Sequence, residues 1–299
     1  METKPDFRFS SNLTESPLLT AVVPVGAMYG RTSRLLAWVK QIQQFNCEVI
    51  LVIDEKLDGT YQEIYENIST MELTGPLTMV HGRFGGPGPA RNAGIERANG
   101  EWIAFWDSDD SPNIVGVLST LQNIPSDVEI IVGRYSIKSQ NSEKQRGSRK
   151  AINFALNPGL WRVIFRSEII KDKAFPNLRM AEDQVFLLHS DIFTRKIHFT
   201  KESLYKYYVE VENQLTKDNR YLEDMLVASD IIKKELSKGS SSIHEKFLIS
   251  TIVFRINAAF FKRVNMRRRY KFVLSNLNFI NLKISIYTIF ALLMSAKNL

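Results

Sequence analysis

Short, almost uninterrupted apolar runs alternate with helix-patterned stretches through the first 135 residues, and this alternation limits the possible folds more than any other feature of the chain. Residues 18–25 (LLTAVVPV), 48–54 (EVILVID), 77–81, 101–107 (EWIAFWD) and 128–135 (VEIIVGRY) read as strands. Between them, Leu35, Leu36, Val39 and Ile42 follow helical spacing, as do Tyr61, Ile64, Tyr65 and Ile68. Residues 90–98 read as a short helix stopped by Asn99-Gly100, and residues 115–121 as another. Strands that are apolar on both faces need cover on both faces, so the pattern predicts a mostly parallel sheet flanked by helices. Ligands of such sheets bind beyond the carboxyl ends of the strands. Attention therefore falls on residues 24–26, Asp54, the stretch after His81, and the acids from Asp107 onward.

The rest of the chain is less regular. Residues 136–150 (SIKSQNSEKQRGSRK) are polar and basic and read as a loop or linker. Residues 157–191 return to mixed structure, and from Tyr221 the pattern is mainly helical. A length of 299 residues suits one large α/β domain with an appendage, or two modest domains. Hydrophobic residues at 44% and charged residues at 24% supply a full core and exclude a disordered chain. Cys47 is the sole cysteine, which excludes an internal disulfide. The polar start lacks the apolar stretch of a signal peptide, and both facts suit a reducing, cytosolic compartment. A net charge of +7 favours an anionic partner: nucleotide, phospholipid or nucleic acid.

Three segments carry chemistry. Asp107-Ser108-Asp109-Asp110 puts three carboxylates at the end of an apolar strand. Crowded carboxylates repel unless a cation neutralises them, and hard oxygen ligands suit Mg²⁺ or Mn²⁺ together with substrate phosphates. The same residues also fit a solvated turn that opens the next helix at Ser111-Pro112. In residues 83–94 (RFGGPGPARNAG), glycines would let the backbone pass close to a ligand, and Arg91 at a helix start would offer a forked cation to an anion. A stiff connecting loop is the plainer reading. Asp54, closing the second strand before Leu57-Asp58-Gly59-Thr60, could accept a hydrogen bond from a base or ribose, or simply cap a turn.

Taken together, the order and spacing of AVVPV, VILVID…LDGT, GGPGPARNAG and GEWIAFWDSDD resemble family 2 of the inverting glycosyltransferases, which have the GT-A fold. The likeness covers about the first 110 residues. Further on, Ala181-Glu182-Asp183-Gln184-Val185-Phe186 looks like the family's acceptor-side Glu-Asp motif, with Gly159-Leu160-Trp161 upstream. The loop after Asp54 departs from the family, reading Glu-Lys-Leu where a second Asp, Gly and Ser are usual. The resemblance implies that Pro24, Asp54, Arg91, Asp107 and Ser108 bind the nucleotide sugar, that Asp109 holds Mn²⁺ or Mg²⁺, and that Asp183 is the general base with Glu182 beside it. Such an enzyme moves a sugar, with inversion, from a nucleotide-diphosphate donor to a hydroxyl of a growing surface glycan or lipid-linked glycan. Glu182-Asp183 also fits an acidic pair favourable to a helix N-terminus. Two rivals stand beside this reading. A sugar-nucleotide nucleotidyltransferase would want a basic, Gly-rich loop straight after the first strand, which residues 25–31 supply poorly; the other rival is a non-catalytic protein at a membrane surface.

The expected organisation is a catalytic domain over residues 1–215 and a helical extension over 216–299. Six basic residues lie between 262 and 271, followed by an apolar stretch over 277–294. Its longest uncharged run, 284–296, is well short of the ~20 residues a spanning helix needs. A basic stretch beside an apolar helix suits the inner face of a cell membrane, and it equally suits a terminal helix packed on the catalytic domain. No nucleic-acid partner is expected. The four histidines are too scattered for a metal cluster, and Trp102 and Trp106 read as core.

Overall fold

The computed structural model describes residues 6–9, 16–54, 58–147, 150–209, 219–238, 242–265 and 268. In chain order it holds β1 (Phe7–Phe9), β2 (Leu19–Val25), α1 (Ser33–Ile42), β3 (Cys47–Asp54), α2 (Thr60–Ser69), β4 (Leu77–Gly82), α3 (Pro87–Ile95) and β5 (Trp102–Phe105). Next come β6 (Ser111–Pro112), α4 (Ile114–Gln122), β7 (Ile130–Lys138), β8 (Glu143–Arg146), α5 (Ala151–Leu156), β9 (Val163–Arg166), α6 (Glu182–His189) and β10 (Ile197–Tyr208). Two helices close the described part: α7 (Leu222–Lys238) and α8 (Ile243–Arg263).

One sheet joins all the strands, in the order β1-β4-β3-β2-β5-β9-β7-β10-β6, with β8 paired to β7. The block β4-β3-β2-β5 is parallel throughout, as its apolar runs predict. Beyond β5 the sheet turns mixed, because β9 enters antiparallel between β5 and β7. Its four residues, VIFR, are too short to stand out from their surroundings in sequence. The polar segment after residue 135 is not simply a loop: β7 runs on to Lys138, and β8 returns antiparallel from Glu143. All four β8 residues are exposed, so no apolar alternation marks the strand.

Burial follows the two faces of the sheet. Leu19, Ala21, Val23 and Val25 of β2 pack on one side with Leu35, Trp38, Val39 and Ile42 of α1. Val22, Ile50 and Val52 face the other side, with Ala90 and Ile95 of α3. Trp102 and Trp106 are each 1% exposed, in keeping with a core role. A third apolar cluster spans the join to the helical extension: Ala155, Met180 and Val185 pack with Leu222, Met225, Ile249, Ile252 and Ile256. Helices α7 and α8 therefore pack against α5 and α6. The expected boundary near residue 215, Arg267, Arg269 and the apolar stretch over 277–294 lie outside the described residues. Among the described residues no helix is long and apolar enough to cross a membrane.

Helix α3 sits unusually close to β2. A Cβ at Gly94 would stand 2.3 Å from Val22 Cγ1, well inside contact distance. We predict that Gly94→Ala destabilises the protein by ~1–3 kcal/mol through overpacking, despite alanine's better helix propensity. Denaturant unfolding checks this, and adding Val22→Ala should restore part of the loss.

Candidate active site

The carboxyl ends of β2, β3 and β5 open into one cavity of about 1110 Å³, lined by Pro24, Asp54, Arg91, Asp107, Asp109, Glu182 and Asp183. Of the eight site residues expected from sequence, the cavity gathers all but Ser108. That residue is buried in the acidic turn and does not line the cavity.

Arg91 holds the two halves of the cavity together. It lies in the middle of α3, not at its start, and its guanidinium is buried. One Nη donates to Asp107 at 2.9 Å and the other to Glu182 at 2.8 Å. Burial alone would lower its pKa, but the surrounding Asp107, Glu182 and Asp183 outweigh that and raise it, so the cation is permanent. Two carboxylates engage this guanidinium, which holds them at one spacing. The close approach permitted by the glycine-rich loop is likewise internal. A Cβ at Gly88 would meet the Pro176 carbonyl at 2.8 Å and Glu182 Cγ at 3.4 Å. The loop thus seats α3 against the segment that leads to Glu182.

The acidic turn after β5 is anchored from behind. Asp110 is fully buried; it accepts from the Tyr205 hydroxyl at 3.0 Å and from the Tyr208 amide at 2.7 Å. Tyr205 also accepts from the Asp107 amide at 3.1 Å. Burial, with Asp107 and Asp109 close by, pushes the Asp110 carboxyl up to about 9. Asp110 is therefore an anchor, while Asp107 and Asp109 face the cavity. Arg34 donates to the Asp109 carbonyl and lies 3.7 Å from the Tyr208 ring centre, fixing the turn from the other side. Among the described residues no three His, Cys, Asp or Glu side chains could hold a metal ion by themselves. The arrangement nonetheless fits Mg²⁺ or Mn²⁺, which take one or two carboxylates and complete their shell with substrate phosphates and water.

Glu182 and Asp183 open α6, directly after Ala181, whose φ of 64° is uncommon for a residue with a side chain. Backbone strain of this kind gathers at functional sites. Glu182 is buried under Arg91, whereas Asp183 retains some surface in the cavity and accepts from the Gln184 side chain at 2.9 Å. Burial, and then the charge of Glu182, raises the Asp183 pKa; Arg91 opposes this only in part. Such a carboxyl is a stronger base than an ordinary aspartate.

Other placements were less legible. Asp54 Oδ1 accepts from the amides of Phe84 at 2.9 Å and Gly85 at 3.2 Å, so the side chain shapes the glycine-rich loop as well as lining the cavity. Trp161, Tyr135 and Tyr207 add an aromatic wall, with Trp161 stacked on Tyr205 and Tyr207 at 4.8 and 5.7 Å. Tyr205 and Arg34, which brace the acidic turn, had no local signal in sequence. His189 and His198 do not line the cavity.

The sequence model of Glycosyl transferase family 2 matches residues 25–195, over half of the chain. The chain belongs to glycosyl transferase family 2. Among curated relatives, a poly(ribitol-phosphate) beta-glucosyltransferase of Bacillus spizizenii is 29% identical over 56% of this chain and 28% of its own length. The poly(ribitol-phosphate) beta-N-acetylglucosaminyltransferase TarS of Staphylococcus aureus is 25% identical over 76% of this chain and 42% of its own. The chain thus spans less than half the length of either relative. The crystal structure of TarS residues 1–349 with UDP-GlcNAc aligns with a TM-score of 0.65 at 19% identity, covering 85% of this chain and 78% of that one. The mannosyltransferase PcManGT of Pyrobaculum calidifontis, with GDP-Man and Mn²⁺, aligns at 0.57 and 14% identity over 95% and 87%. The family 2 chain accordingly has the GT-A fold, with helices following the central sheet.

Removing the guanidinium should undo both halves of the cavity together. Arg91→Gln leaves Glu182 buried without its partner and is expected to lose ~3–5 kcal/mol of stability. Arg91→Lys should recover little, because a point charge cannot bridge two carboxylates as a fork does. Thermal unfolding of both variants checks this.

Proposed function

We propose that this family 2 glycosyltransferase moves a sugar from a nucleotide diphosphate to a hydroxyl of a surface glycan polymer, with inversion at the transferred carbon. One observation carries the reading: a single cavity joins the strand-end acids Asp107 and Asp109 to Asp183, a carboxyl whose pKa is raised. Sugar transfer needs two separate acidic functions. One manages charge on the leaving diphosphate, and the other takes a proton from the acceptor.

On this reading Pro24, Asp54 and Asp107 bind the nucleotide end of the donor, with Ser108 supporting the turn between them and Asp109. Asp109 would hold Mn²⁺ or Mg²⁺, which neutralises charge on the leaving diphosphate when bound. Asp183 accepts the acceptor's hydroxyl proton as that oxygen forms its bond to the sugar's anomeric carbon. The bond to the diphosphate breaks in the same step, its electron pair leaves with the nucleoside diphosphate, and the configuration inverts. Glu182, neutralised by Arg91, orients the first turn of α6. The aromatic face of Trp161 offers an apolar platform for a sugar ring. The two relatives that modify poly(ribitol phosphate) support a surface polymer as acceptor. Family membership sets aside the nucleotidyltransferase alternative. Nucleotide-sugar turnover separates a working transferase from a non-catalytic protein.

Asp183→Asn keeps the shape of the base but cannot take the proton. Its transfer rate should fall at least ~100-fold, the lower end for general base catalysis, while calorimetry finds donor affinity within a few-fold. Asp109→Ala should instead weaken donor binding in the presence of Mn²⁺ or Mg²⁺. Donor binding lost equally in both variants would move Asp183 to the donor side. The pH profile offers an independent check. Because burial and Glu182 raise the Asp183 pKa, and the base acts only when deprotonated, kcat/KM should climb with pH across a limb above the usual carboxylate range. A flat profile through that region would count against Asp183.

A further inference from the structure

One wall of the cavity is built from cations that the transfer step above does not use. Arg255 and Lys262 on α8, together with Arg179, Arg220 and Arg263, line it. The α8 residues that reach the cavity, Arg255, Ala259 and Lys262, repeat at helical spacing on one face, while Ile249, Ile252, Val253 and Phe260 are buried in the third apolar cluster. Arg255, Ala259 and Lys262 are exposed. Seven residues of helix put Arg255 and Lys262 ~10 Å apart along the axis, and the small side chain of Ala259 leaves the space between them open. Every acid lining the cavity belongs to the set already assigned: Asp54, Asp107, Asp109, Glu182 and Asp183.

This wall adjoins the side of the cavity that holds the proposed base. Arg263 reaches Met180 Sδ at 3.5 Å, and the Arg179 amide donates to Asp224 of α7 at 2.7 Å, just ahead of Glu182 and Asp183. A neutral glycan would gain little from such a wall. An acceptor with phosphate groups a few bonds from its attacked hydroxyl would be drawn to it, and its register would be set by two separated cations.

We propose that the α8 face is an acceptor subsite for a phosphate-bearing chain, with Arg255 and Lys262 each engaging a phosphate while the hydroxyl between them is presented to Asp183. The inference rests on the transferase reading above. The phosphate could belong to a phosphodiester-linked polyol chain or to the diphosphate of a lipid carrier, and the two sources share the same recognition chemistry.

The test uses the full chain with a short oligo(ribitol phosphate), a neutral oligosaccharide, and an isoprenoid-diphosphate-linked sugar in detergent as acceptors. Donor turnover and donor affinity are read separately. The wild type should prefer a phosphate-bearing acceptor, and its KM for that acceptor should rise with added salt. Arg255→Gln with Lys262→Gln should raise that KM about tenfold or more, a loss equal to one charged contact or more, and should flatten the salt dependence. Donor affinity by calorimetry should hold. Arg255→Glu should be worse than Arg255→Gln at low salt, a readout that a packing defect would not give. A response to the lipid-linked arm alone supports the subsite and assigns its phosphate to the carrier. Equal use of the neutral acceptor, or an unchanged KM in the double variant, overturns the subsite. Loss of donor affinity in the double variant also overturns it, assigning the cations to the donor diphosphate. A wild type that turns over no nucleotide sugar, with or without an acceptor, fails the transferase reading itself.

Discussion

The cavity depends on one buried guanidinium. Asp107, Glu182 and Asp183 would repel one another strongly if left together in a partly dry space, since Coulomb energies grow as the local dielectric falls. Arg91 offsets that repulsion and also fixes geometry, because its planar fork binds the end of β5 with one nitrogen and the first turn of α6 with the other. Elements far apart in the chain are thereby held at one spacing. The close seat of α3 on β2 at Gly94, and on Pro176 at Gly88, keeps the fork in its place.

Around that clamp the cavity divides into a stiff side and an adaptable one. The sheet edge is rigid: β2, β3 and β5 are parallel neighbours buried on both faces, and the acidic turn is pinned through Asp110 to β10. On the proposed function this edge meets the donor diphosphate, a group that nucleotide-diphosphate sugars share, and a fixed frame suits it. The opposite side is made of helices and of an aromatic wall at Trp161. On the proposed function this side meets the acceptor, and helices that pack through aliphatic side chains accommodate a change of acceptor more easily than a hydrogen-bonded strand.

The legible parts were those where short-range chemistry and burial agree. Strands β2, β3 and β4 announce themselves because both sheet faces are buried, with Val23, Leu51 and Met79 on one and Val22, Ile50 and Val80 on the other, and Asp54 closes β3 as Asp107 follows β5. Strand β8 was illegible, since Glu143, Lys144, Gln145 and Arg146 are all exposed and carry no alternation. Strand β9 is only four residues long, and its pairing with β5 and β7 is a long-range choice that VIFR does not encode by itself. The site was legible as far as residue types go. What sequence could not assign was division of labour: Asp110 looks like its neighbours Asp107 and Asp109, and only the contact with Tyr205 turns it into an anchor. In the same way nothing in the residues around Arg91 indicates that Glu182, distant in sequence, is its partner. The basic run that begins at Lys262 reads as a surface-charge signal, yet Lys262 and Arg263 line the cavity and Arg268 pairs with Glu223 at 3.2 Å.

The third apolar cluster has a consequence for how this enzyme could change. Met180, one residue before the left-handed Ala181, shares a core with Ile252 and Ile256 of α8. The helix that forms the outer wall is therefore mechanically continuous with the turn that carries Glu182 and Asp183. Exchanging α8 for that of a relative would alter the foundations of α6 along with the wall itself. Relatives that change this wall would be expected to keep the inward face of α8 and vary its cavity face, because that face can drift without moving the turn that carries Glu182 and Asp183.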